Sequence, residues 1–147
     1  MVLIMKNIIL FLFLLPCLFT LTGCPGQGDR LQADEITTVQ KSGNNLCFLV
    51  PDAGEYQPTI LTIGQRNKPA EKMWRGGNPD LKVEDGQLCI PPALYTFPEQ
   101  GQFVIRYVLK SGQENMPLRS VVAAIEVSKT GVRNLPLQSN EGVRPYQ

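Results

Sequence analysis

Four cysteines and a complete absence of histidine set the chemical limits of this chain. Without imidazole there is no Ser-His-Asp or Cys-His nucleophile, no histidine metal ligand, and no side chain whose ordinary pKa lies near neutrality. Cys17 lies inside an apolar run and Cys24 just behind it, whereas Cys47 and Cys89 sit in the short runs Leu46-Cys47-Phe48-Leu49-Val50 and Leu88-Cys89-Ile90. Two cysteines alone do not complete a tetrahedral metal site. In an oxidising compartment they are expected to form one Cys47–Cys89 disulfide, with two buried free thiols as the alternative. Closing a loop of about 42 residues contributes roughly 4 kcal/mol in the chain-entropy account. The densest acidic group is Asp80, Glu84 and Asp85. Paired carboxylates serve glycoside hydrolysis when held across a cleft, but acids flanking an Asp85-Gly86 turn read as local hydrogen-bonding groups. The twelve-residue calcium-loop spacing is missing, and Gly26 and Gly28 do not stand between a strand and a helix. The pattern therefore names no catalytic residue, no metal and no cofactor.

A second kind of chemistry is recognition. Met73-Trp74-Arg75 combines three residue types enriched at interface cores, next to the flexible pair Gly76-Gly77. These three are the candidate partner-binding residues; the competing expectation is that Trp74 plugs the core. The stretch around them is basic, with Arg66, Lys68, Lys72 and Arg75 opposed only by Glu71. Such a cluster can steer an acidic partner or simply form a solvated face.

The elements that must carry these residues begin with a leader. Residues 1–23 hold Lys6, an apolar stretch from Ile8 to Phe19 and the small pair Thr22-Gly23, which is the anatomy of a secretory signal peptide. The stretch is short for a membrane span, which needs about 20 apolar residues. Leu21-Thr22-Gly23-Cys24 resembles a bacterial lipobox. The resemblance implies cleavage before Cys24, lipidation of Cys24 with palmitate-like chains, and attachment to a membrane. Pro25 follows instead of the aspartate that resembles an inner-membrane retention signal, so the expected location is the outer membrane, facing the periplasm. Residues 24–34 then read as the lipidated N-terminus and a flexible spacer, 35–133 as one domain, and 134–147, with two prolines and a glycine, as a flexible tail. The alternative for that tail is a segment that adds to a sheet edge or a partner.

Residues 35–133 read as strands and turns. Ile36–Val39, Leu46–Val50, Thr59–Ile63, Lys72–Arg75, Leu81–Val83 and Gln87–Ile90 are short strands. Phe103–Lys110 is the clearest, with Phe103, Ile105, Tyr107 and Leu109 on one face and Val104, Arg106, Val108 and Lys110 on the other. Val121–Val127 closes the series, its β-branched content favouring strand over a short helix. Turn signals every eight to twelve residues predict an all-β fold, an immunoglobulin-like antiparallel β-sandwich of about seven strands.

Charge narrows the partners. Of 14 Lys and Arg only Lys6 precedes Cys24, and all 13 Asp and Glu follow it, so the chain beyond the leader carries no basic excess. Nucleic acid, which needs that excess, is not an expected partner. The strings Cys24-Pro25-Gly26-Gln27-Gly28-Asp29-Arg30-Leu31 and Gly43-Asn44-Asn45-Leu46-Cys47 are similar to those of small enterobacterial lipoproteins described as periplasmic immunity lipoproteins of type VI secretion. That resemblance implies a non-enzymatic protein that binds a periplasmic toxin, and among its residues it transfers only Cys24. A structural or accessory envelope lipoprotein of a secretion apparatus is the alternative.

Overall fold

The computed structural model describes residues 1–5, 7, 32–77 and 80–142. The expected signal-peptide core, Cys17, the lipobox and Cys24 lie outside these residues, as do 143–147. Residues 2–5 are helical. Among the described residues no helix is long and apolar enough to cross a membrane.

The domain is an all-β sandwich. Its strands are β1 (Glu35–Ile36), β2 (Val39–Ser42), β3 (Asn45–Leu49), β4 (Tyr56–Gln65), β5 (Trp74–Gly77), β6 (Val83–Glu84), β7 (Gln87–Ile90), β8 (Gly101–Ser111), β9 (Arg119–Ser128) and β10 (Gly131–Leu135). One sheet runs β2-β3-β7-β6; the other runs β1-β9-β8-β4-β5, with β10 also on β9. This is the immunoglobulin arrangement, in which A-B-E-D faces a sheet built on G-F-C. Apart from the parallel β1–β9 contact, every pairing among these strands is antiparallel.

Period-2 alternation builds the core. Phe103, Ile105, Tyr107 and Leu109 of β8 face inward with Val121, Ala123 and Ile125 of β9 and Leu61 and Ile63 of β4; Leu46, Phe48, Leu88 and Ile90 meet them from the smaller sheet. Phe48 and Tyr107 pack edge to face across the sandwich with ring centroids 5.7 Å apart.

The ten strands among the described residues exceed the expected seven for local reasons. The predicted Ile36–Val39 strand is two strands, because the chain changes sheets at Thr37. The Thr37 N–H donates to the Val122 carbonyl in the larger sheet at 3.1 Å, and its hydroxyl donates to the Leu49 carbonyl in the smaller one. At the other end, Asn134 and Leu135 continue β10 rather than opening a tail, pairing with Ile125 and Ala124.

The free edges of the smaller sheet are closed by side-chain amides from the larger one. Asn134 of β10 accepts from the Val39 N–H at 2.8 Å and donates to its carbonyl at 3.0 Å. Gln57 of β4 does the same for Val83 of β6, at 2.9 and 3.4 Å. Each amide stands in for a missing neighbouring strand, which satisfies the edge and removes a template for further pairing. The end where the chain enters is held by Arg119. Its guanidinium grips Glu35 at 2.6 and 2.7 Å, donates to the Asp52 and Pro51 carbonyls at 3.0 and 2.8 Å, and lies 5.0 Å over the Tyr56 ring.

Cys47 and Cys89 form the expected disulfide, with Cα atoms 4.0 Å apart. They are register partners on β3 and β7. Leu46 and Phe48 point into the core, so Cys47 points away from it, and Cys89 does likewise between Leu88 and Ile90. The bond therefore lies within one sheet, on its outer face, rather than across the core.

Candidate functional site

Alternation on β4, β5 and β8 splits the three residues proposed for partner binding. Trp74 is the register partner of Ile63 and packs half-buried against the core from the inner side. Its ring meets Tyr95 at 5.7 Å, Tyr95 meets Phe97 at 4.7 Å, and Phe97 meets Phe103 at 5.2 Å, all edge to face. Gly76 lies beneath the indole, where a Cβ would come within 2.5 Å of the ring; this close approach accounts for the first glycine of the pair. Arg75 takes the opposite, outer face, and Met73 joins it through contact with Gly64, whose added Cβ would lie 3.2 Å from the Met73 methyl.

On that outer face Arg75, Thr62 and Arg106 stand in one row across three strands, Thr62 being the register partner of both. The turn and 3-10 segment between β4 and β5 bring Arg66, Lys68 and Lys72 to the same place. Together they line a depression of about 920 Å³ with five cationic side chains and one carboxylate, Glu141. The basic stretch is legible in the sequence; Arg106, 31 residues beyond Arg75, and Glu141 are not, since only strand register and the return of the C-terminal segment bring them in.

Two of the cations are already engaged. Arg66 grips Glu141 with Nε and Nη2, both at 2.7 Å, and donates to the Pro136 carbonyl at 2.8 Å and the Gln102 side chain at 3.3 Å. Only about a tenth of either side chain in this pair is exposed. Arg106 donates to Asp34 at 2.9 Å and to the Glu141 carbonyl at 2.8 Å. These bonds hold residues 136–142 as a strap against the larger sheet, and they draw Asp34, expected in the flexible spacer, onto the domain. Composition alone reads prolines, glycine and polar groups as a tail; it carries no information about an arginine whose side chain is buried just past the end of β4. In contrast, Lys68, Lys72 and Arg75 are exposed and make no ion pair among the described residues.

The strap carries a pH dependence. The Arg66 hydrogen bonds hold the Glu141 carboxyl below its usual range, against the opposing effect of burial. A carboxylate with a lowered folded-state pKa stabilises above its unfolded value, near 4.3, and loses that contribution as pH falls through the lowered value. Wild type is expected to exceed Glu141→Gln by about 1–2 kcal/mol at pH 7, as for a charge-assisted hydrogen bond, with the gap closing toward pH 3. Thermal melts of both proteins across that range check this, and a gap that stays constant refutes it.

The acidic residues behave differently. Asp85 and Gly86 have φ of 50° and 70° and make the two-residue turn between β6 and β7, as a primed hairpin turn requires. Asp80, Glu84 and Asp85 border a shallow depression beside Cys89. Among the described residues no group of three or more Cys, Asp or Glu is placed to hold a metal ion.

No curated protein and no solved structure matches the chain. A protein family does, over residues 34–130, from Asp34 at the start of the sandwich to the turn after β9. The matched span contains the smaller sheet, the larger sheet apart from β10, the disulfide and the whole basic row, leaving β10 and the strap outside it. With well over half of its length matched, the chain belongs to the family described as a domain of unknown function, DUF7480.

Proposed function

We propose that this protein is a lipid-anchored lipoprotein of the outer membrane, facing the periplasm, that binds and neutralises a protein toxin delivered by type VI secretion. The observation that supports binding is the basic depression on the larger sheet. Lys68, Lys72 and Arg75 project there without an ion pair among the described residues, around two arginines engaged in holding the strap. Three unpaired cations on one rigid face suit an acidic partner surface, which they would steer and orient. Neutralising a toxin requires location, a stable scaffold and one complementary surface, and it requires no catalytic group. The anchor in this reading is Cys24.

The anchor and the surface are tested separately. Cys24→Ala is expected to abolish palmitate labelling and release the protein from the membrane fraction; equal labelling of mutant and parent sinks the anchor. For the surface, the expected partner is the toxin encoded beside this gene. A deletion strain should be sensitive to sister cells carrying that toxin. The full chain should rescue it, and a chain lacking residues 1–23 should not. The combined variant Lys68→Glu, Lys72→Glu and Arg75→Glu is expected to lose at least about tenfold in affinity, chiefly through slower association, with the melting temperature unchanged because the three side chains are exposed and unpaired. Unaltered affinity rejects this surface. A deletion strain that stays insensitive, but fails to assemble its own secretion apparatus, moves the assignment to a structural accessory.

A further inference from the structure

We infer that the open end of the sandwich is a binding site for a small amphiphile, an apolar chain or ring ending in a carboxylate. The site lies between the sheets at the end marked by the β9–β10 turn. The chain enters the domain at the opposite end, where Glu35 of β1 is paired with Val121 near the start of β9. Its floor is made by the last inward-facing residues of four strands: Leu46 on β3, Ile90 on β7, Val127 on β9 and Val132 on β10. Tyr95 and Phe97, on the connection from β7 to β8, form a wall and are braced by Trp74 and Phe103. The cavity measures about 500 Å³, within the range of pockets that enclose small molecules.

The rim gives the ligand its charge. Val39 and Phe48 are register partners facing the core, and Lys41 is the partner of Leu46 two residues along. Lys41 therefore occupies an inward-facing position, directly over an apolar floor, where the alternation calls for a hydrophobic side chain. It is exposed at the mouth and makes no ion pair among the described residues. Lys129, on the β9–β10 turn, stands on the same rim and Glu99 opposes them, leaving one positive charge in excess. An apolar floor beneath an inward lysine fits a molecule with a hydrophobic body and one anionic head: the body removes apolar surface from water and the head pairs with Lys41. This inference is independent of the toxin-binding reading, which uses the outer face of the larger sheet.

A photoreactive diazirine analogue of decanoic acid tests it, added to the full chain in phosphatidylcholine nanodiscs and mapped by mass spectrometry. Labelling should concentrate in residues 91–100 and 127–132, and decanoate should compete for it. Decanol, with the same chain and no charge, should compete at least tenfold less well. Lys41→Glu should weaken labelling about tenfold, and Val132→Trp, which fills the cavity, should abolish it; Lys129→Glu serves as a second charge reversal if Lys41→Glu proves unfolded by melting. Labelling spread over the surface, or unchanged by both charge reversals, overturns the site. Equal competition by decanol overturns the carboxylate assignment, and a toxin-protection defect in Val132→Trp is not expected in either case.

Discussion

Phe48→Ala should lower stability by about 3–5 kcal/mol, the usual cost of removing a fully buried aromatic ring. Phe48 is completely shielded from solvent and belongs to the smaller sheet, while the ring it meets edge to face, Tyr107, belongs to the larger one. The substitution thus opens a cavity at the seam between the sheets, where neither can collapse without losing its own hydrogen-bonded register. For a domain of this size the expected fall in melting temperature is on the order of 15 °C. A comparison within the same contact separates packing from polarity. The Tyr107 hydroxyl is buried without a hydrogen-bond partner among the described residues, and burial pushes its ionisation well above the ordinary phenol range. Tyr107→Phe removes that unsatisfied group and keeps the ring, so it should be neutral or stabilising. If Tyr107→Phe destabilises as much as Phe48→Ala, a polar partner is present and this account of the seam fails.

Loss of the Cys47–Cys89 bond is the second large effect. Cys89→Ser should cost about 2–5 kcal/mol, the usual cost of removing a native disulfide from a small domain. The bond joins residues 42 apart in sequence, and the loop it closes contains β4, β5 and β6 as well as most of β3 and β7. Its constraint on the unfolded chain is therefore large, while its contribution to native packing is small, because both sulfurs lie on the outer face of a sheet already paired over four registers. Denaturant unfolding with and without reductant should show wild type shifted to the midpoint of Cys89→Ser and the mutant unmoved. A reduced wild type as stable as the oxidised form would refute the argument. The anchor proposed at Cys24 should be indifferent to the change, since it would use a separate cysteine.

The sequence by itself determined the class of fold and much of its chemistry. Alternation in Phe103–Lys110, the Asp85-Gly86 turn and the β-branched run at Val121–Val127 are local signals, and local signals suffice for strands, turns and the choice of buried face. Absence of histidine and the placement of the cysteines likewise need no coordinates. The tertiary structure decided what depends on pairs distant in sequence. It set the disulfide within one sheet, because strand order rather than cysteine spacing determines which strands adjoin. Trp74 took the inner face and Arg75 the outer one, rather than the reverse, because β5 pairs with β4 in one register and not the next. Asn134 and Gln57, unremarkable polar residues in the sequence, became edge partners because two separate sheets had to be brought together. Glu141 left the expected tail for the same reason: a carboxylate there has no local preference for order, and gains one only when folding presents Arg66, just past the end of β4, beside Arg106 on the neighbouring β8.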